Sequence, residues 1–122
     1  MTDRRGDLFS VECPTRHLLD RIGDKWTSMT VKLLAERYPD SARFSELQRA
    51  MPGVSHKMLS QTLQRLTADG LVTRRVEDSV PPAVHYALTA LGRSLDEPLA
   101  ILREWAETHM SEIERHRASA GR

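Results

Sequence analysis

Between Ser55 and Ala68 the chain carries no acidic residue, and Lys57, Ser60, Gln61 and Gln64 follow one another at helical spacing. At about 100° per residue these four fall on one helix face, with His56 and Arg65 at its margins and Leu59, Leu63 and Leu66 pointing the other way. Amides and hydroxyls pair with base edges, while Lys and Arg reach guanine N7 and O6 or phosphate oxygens, so the pattern suits major-groove reading. A helix face that only meets water more often carries Glu and Lys pairs. The surrounding charge agrees: the full chain has a net charge of +1, yet the segment 43–76 holds Arg43, Arg49, Lys57, Arg65, Arg74 and Arg75 against Glu46 and Asp69. A local basic excess is the footprint of a nucleic-acid face. Arg74 and Arg75 are neighbours on a β-prone run, where alternation turns one toward the core side and the other to solvent, so only one of them is expected to reach DNA.

Cys13 is the other reactive group. As the single cysteine of 122 residues it can form neither an internal disulfide nor a cysteine zinc site. It directly precedes Pro14 at the start of a helical pattern, where backbone dipoles favour the thiolate that oxidants and electrophiles attack. Two roles are open, a sensor of a small oxidant or electrophile and a small hydrophobe packed against the first helix. A sensing Cys13 would end joined to its dimer mate, in a mixed disulfide with a small thiol, or as a sulfenic acid. His109, Glu112 and His116 share one face of the last helical pattern, but exposed histidines are far commoner than ligands, so no metal and no other cofactor is expected. The sequence has no G-x-x-x-x-G-K, G-x-G-x-x-G, H-E-x-x-H or G-x-S-x-G motif, and its five histidines are scattered over different elements. The chain is therefore not read as an enzyme.

These groups need a scaffold, and the sequence punctuates one. Cys13-Pro14 opens a first helix with Leu18, Leu19 and Ile22 on one side, ending at Gly23. After Asp24, the spacing of Trp26, Met29, Leu33 and Leu34 predicts a second helix that stops at Tyr38-Pro39-Asp40. Residues 41–44 read as a short extended link, with Ser45 capping a brief third helix that Met51-Pro52-Gly53 breaks. Ser55 then caps a fourth helix reaching Asp69-Gly70, and two helices around a tight Pro-Gly turn make a helix-turn-helix. Leu71–Val76 and Val84–Leu88 are β-prone runs joined by a stiff loop holding Ser79, Pro81 and Pro82. That loop offers no basic side chain beyond its backbone, so its DNA contacts would position without reading sequence. Thr89 caps a final helix, about 89–117, with a kink expected near Ser94 from Pro98.

Along that last helix Leu95, Leu99, Leu102, Ala106 and Ile113 form a stripe, with Trp105 at its edge, that a domain of this size has no core left to cover. A two-fold partner would cover it, which predicts a homodimer. Hydrophobic residues at 39% and charged residues at 29% describe one globular domain. Its expected bounds are a flexible arm over 1–12, a domain over 13–117 and a frayed tail over 118–122. Neither a secretory h-region nor a transmembrane run of roughly 18 apolar residues is visible. A cytoplasmic location without membrane contact is expected.

As an ordered set, the pieces resemble the HxlR-type winged-helix regulators, close to the MarR group. The matching residues are Cys13-Pro14, Ile22-Gly23-Asp24-Lys25-Trp26, Arg43-Phe44-Ser45-Glu46-Leu47, Pro52-Gly53-Val54-Ser55, Lys57-Met58-Leu59 with Leu63, Asp69-Gly70-Leu71-Val72 and Val80-Pro81-Pro82, followed by Val84, Tyr86, Leu88-Thr89 and Leu91-Gly92. The resemblance implies an α+β, mainly α fold, a winged helix-turn-helix with a C-terminal dimerisation helix. It also implies a transcription factor on double-stranded DNA that is dimeric through its terminal helices, with the fourth helix reading DNA and the proline-tipped hairpin as wing. Some members of the group sense through a cysteine at the place of Cys13. The residues expected to meet DNA are Arg43, Ser55, His56, Lys57, Ser60, Gln61, Gln64, Arg65, Arg74, Arg75, Pro81 and Pro82, on an inverted-repeat operator and acting as a repressor. Two positions depart from the pattern: Ala83 replaces a basic residue after the paired prolines, and Ser28 and Thr30 stand where aliphatics are expected. A winged helix used solely for protein association is the competing reading.

Overall fold

The computed structural model describes residues 7–121. Over these residues the elements follow as α1 (Pro14–Ile22), α2 (Lys25–Arg37), β1 (Ala42–Arg43), α3 (Phe44–Ala50), α4 (His56–Ala68), β2 (Val72–Glu77), β3 (Ala83–Leu88) and α5 (Ala90–Ala120). Side-chain caps start three of the helices, each satisfying a backbone donor that the first turn leaves open. Asp24 accepts from the Thr27 N–H at 2.8 Å, Ser55 from Met58 at 3.0 Å and Thr89 from Gly92 at 3.0 Å. Helix α4 ends in a left-handed turn at Gly70, φ +75°, where Leu71 N–H donates to Leu66 O at 2.9 Å and Gly70 N–H to Thr67 O at 3.1 Å. Only a residue without Cβ adopts that conformation cheaply.

The strands form one antiparallel sheet in the order β1-β3-β2. Val31, Leu34, Leu47, Met51, Leu59, Leu63, Leu66, Val72, Tyr86 and Leu88 make the core beneath it. Each fully buried leucine contributes about 1.5 to 3 kcal/mol by leaving water. Helix α5 packs along α2, and its first turn lies on the end of α4. A Cβ at Gly92 would stand 1.9 Å from the Leu71 carbonyl oxygen, so no other residue fits there.

Several expectations change on this frame. Helix α3 begins at Phe44, one residue before the cap expected at Ser45, because the Glu46 carboxylate accepts the Arg43 N–H at 3.1 Å and Arg43 takes the N-cap place. The break expected at Pro98 does not interrupt α5; Ser94 and Pro98 are both exposed, so water can serve the carbonyl that Pro98 leaves without a donor. The tail expected to fray is helical as far as Ala120, closed by Gly121, whose N–H donates to Arg117 O at 3.1 Å. Arg122 lies outside the described residues, as do residues 1–6 of the arm. Residues 7–12 turn back on themselves, with Ser10 N–H on Asp7 O at 3.0 Å.

The C-terminal stripe is split. Leu99 is 8% exposed within the chain's own core and Leu95 packs against it, so these two do not await a partner. Helix α2 covers them, a possibility that the one-dimensional spacing could not reveal. Leu102 and Trp105 stay exposed, together with Ile101, while Ala106 and Ile113 are half-buried. The two polar departures in α2 are accommodated. Thr30 is buried with its hydroxyl donating to Trp26 O at 2.7 Å, and Ser28 Oγ accepts from Arg103 Nη1 at 2.9 Å while Nη2 reaches Asp96 at 3.1 Å. They stitch α2 to itself and to α5.

Candidate nucleic-acid interface

Helix α4 divides as its spacing predicts. Leu59, Thr62, Leu63 and Leu66 are buried, whereas Lys57, Gln61, Gln64 and Arg65 are exposed and Ser60 is half-buried. Ser55 is spent on the helix cap, and its hydroxyl stands at the same end as His56. The His56 ring packs on Phe44 with centroids 4.6 Å apart, which ties the first residue of α4 to the first of α3. Arg65 Nε donates to Gln61 O at 3.3 Å, holding that guanidinium along its own helix.

A groove of about 610 Å³ runs between the hairpin and the facing ends of α3 and α4. It gathers Arg43, His56, Ser60, Arg74, Pro81 and Pro82 from the expected set, with Phe44, Ser45, Glu77, Ser79 and Tyr86 beside them. A second cleft joins Arg74 to Ser60 and Gln64. Register explains the role of Arg74: it pairs with Tyr86, which pairs with Ala42, on the sheet face toward α4. Arg75 pairs with His85 and so turns to the other face. Both arginines are exposed, because the hairpin extends past the core; facing the core side does not bury Arg74 as alternation alone suggested. Lys57, Gln61 and Arg65 lie on the outer face of α4 rather than in the groove.

Glu77 escaped the sequence reading. His85 Nε2 donates to its carboxylate at 2.8 Å, and the Ser41 hydroxyl lies 3.4 Å from the other ring nitrogen. His85, followed by Arg43 and Arg75, holds Glu77 below the usual glutamate range. Glu46 is also held low, first by the Arg37 guanidinium at 2.7 Å and then by the Arg43 N–H. Glu46 and Glu77 are thus tied to named donors, and the outer face of α4, which carries no acid of its own, is basic and polar. The cross-strand row Arg43, His85, Arg75 was legible only once the register was known.

Cys13 is fully buried as the N-cap of α1, with its N–H on Ser10 O at 3.2 Å and its carbonyl accepting from His17 N–H at 3.1 Å. This position fits the packing role and shields the sulfur from solution in this conformation. The His109 ring stacks on Trp105 with centroids 4.7 Å apart and donates to the Trp105 carbonyl at 2.8 Å. Among the described residues no group of three or more His, Cys, Asp or Glu is placed to hold a metal, and no helix is long and apolar enough to cross a membrane.

The sequence model of HxlR-like helix-turn-helix proteins matches residues 21–114. The chain belongs to the HxlR-like helix-turn-helix family. Within the family it is 39% identical to an uncharacterized HTH-type transcriptional regulator, YtfH of Escherichia coli, over 90% of this chain and 85% of the relative. The solved transcriptional regulator YtfH of Salmonella typhimurium superposes with a TM-score of 0.84 at 37% identity, over 93% of this chain and 98% of that one. The redox regulator HypR in its reduced form gives a TM-score of 0.71 at 35% identity, over 84% of this chain and 98% of that one. The family is one of helix-turn-helix transcriptional regulators rather than enzymes, and the fold is the winged helix-turn-helix, with β2 and β3 as the wing.

The tied acids set a pH dependence. A folded-state value below the unfolded one, near 4.5, means that the stabilisation from Glu46 and Glu77 is complete above pH 4.5 and is lost as pH falls through the lower folded values. Urea unfolding midpoints of wild type should therefore drop more steeply than those of Glu46→Gln between about pH 5 and pH 3. Parallel curves for the two proteins would show that Glu46 contributes no such linkage.

Proposed function

We propose that this protein is a transcriptional repressor that reads an inverted-repeat operator as a homodimer, with α4 in the major groove and the wing on the adjacent backbone. One observation carries the reading. The acid-free outer face of α4 presents Lys57, Gln61 and Gln64, and Arg74 from the wing extends it beside Ser60 and Gln64. Gln amides suit adenine N6 and N7, and the cations suit guanine or phosphate. A protein-docking surface would be richer in aromatics; Phe44 and Tyr86, the rings nearest this face, are engaged with His56 and with each other.

Dimerisation is supported by apolar residues that the single chain leaves uncovered. Ile101, Leu102 and Trp105 on α5 and Leu18 and Leu19 on α1 are all exposed. A two-fold axis beside the terminal helices buries them symmetrically and sets two α4 helices about 34 to 36 Å apart. Fluorescence anisotropy on a duplex selected by the wild-type protein tests the assignment of base readers. Gln61→Ala and Gln64→Ala should each cost about 1 to 3 kcal/mol there and little on random duplex, whereas Arg43→Ala and Lys57→Ala should weaken both. Equal losses on the two duplexes for the Gln variants would remove their base-reading role.

An oxidant or electrophile is the proposed signal, with Cys13 as its receptor. HypR, 35% identical, is a redox regulator, and Cys13 starts a helix that buries none of its own residues, so a modest displacement of α1 exposes the sulfur. Diamide should lower operator affinity of wild type and leave Cys13→Ser unchanged. An equal response of both proteins would place the signal elsewhere.

A further inference from the structure

The turn at Asp69, Gly70 and Leu71 ends α4 and begins the wing, and two other helices grip it. From α5, Thr89 donates its hydroxyl to Gly70 O at 2.7 Å and its N–H to Leu71 O at 3.1 Å, and Gly92 lies against the same Leu71 carbonyl. From α1, Arg21 closes a two-pronged bridge on Asp69, with Nε to Oδ2 and Nη2 to Oδ1 both at 3.0 Å. Among the described residues this bridge is the side-chain hydrogen-bonded link from α1 to any element beyond α2. Between its buried cap Cys13 and its half-buried last residue Ile22, helix α1 buries no residue fully, so the bridge is the directional link that orients α1 against the end of α4.

Asp69 also needs an explanation of its own. It is the C-cap of α4, where the helix carbonyls make a negative residue unfavourable. Its presence makes sense as the acceptor of Arg21, whose planar guanidinium matches a carboxylate in one orientation. An arginine fork resists rotation in a way that a lysine point charge does not.

We infer that Arg21 is a positioning residue for DNA recognition: through Asp69 it locks α1 to the end of α4 and so sets the angle at which the α4 face meets the major groove. This rests on the reading of α4 as the DNA-reading helix. Neither Arg21 nor Asp69 lies on that face, so neither needs to touch DNA. The same link carries any displacement of α1 to α4, which gives the terminal helices a mechanical route to the operator.

The test compares wild type, Arg21→Met, Asp69→Asn and the double variant by anisotropy on the selected duplex and on random duplex. Each single variant should lose roughly tenfold on the selected duplex and less than about twofold on random DNA, the double variant losing no more than a single one. The inference is overturned if either folded single variant keeps wild-type affinity, if the two duplexes lose affinity equally, or if the double loss is the product of the single losses. Should Arg21→Met fail to fold, Arg21→Lys, which keeps the charge without the fork, carries the same expectation and the same refutations. A wild-type protein that selects no duplex at all would instead sink the DNA-reading assignment.

Discussion

Helix α5 rests on the carbonyl of Leu71, and the rest of the molecule is arranged around that approach. With no Cβ at Gly92, the first turn of α5 sits close enough for Thr89 to bond both Gly70 and Leu71. The position of this turn decides where α4 ends, where β2 begins and which way the wing leaves the core. The left-handed Gly70 then lets the chain reverse in one residue, so the wing returns beside the helix it follows. Arg74 reaches Ser60 and Gln64 as a direct consequence. A side chain at Gly92 would drive α5 off the Leu71 carbonyl and disturb this junction, whereas one at Gly70 meets no neighbour and costs only the strain of a left-handed backbone.

Electrostatics finishes what packing begins. The basic excess of the middle of the chain would be a general polyanion surface if its acids were loose. Instead Glu46 is consumed by Arg37 and the Arg43 N–H, Glu77 by His85, and Asp69 by Arg21. Exposed ion pairs of this kind contribute little to stability. Their effect is to keep carboxylates away from the outer face of α4, where phosphates and base edges would approach.

Much of this could be read from the residues alone. The caps at Ser55 and Thr89, the turn at Gly70 and the two faces of α4 follow from local chemistry, which neighbouring residues settle among themselves. Local chemistry erred where a distant element intervened. Leu99 fell into the core, with Leu95 against it, because α5 packs along α2, while the one-residue shift of α3 came from a local bond, the Arg43 N–H on the Glu46 carboxylate. The His85 row and the Arg21 bridge join residues far apart in sequence, and only register and packing bring them together. The polar residues Ser28 and Thr30 looked misplaced in α2 until their partners Arg103 and Trp26 were known.

The central claim is that two α4 helices, related by a dimer axis, lie in successive major grooves on one side of the duplex. Methylation protection of guanine N7 on a duplex selected by the wild-type protein reports major-groove occupancy directly. The account predicts two protected patches centred about 10 base pairs apart. A single patch, or full binding with every N7 still reactive, would contradict it.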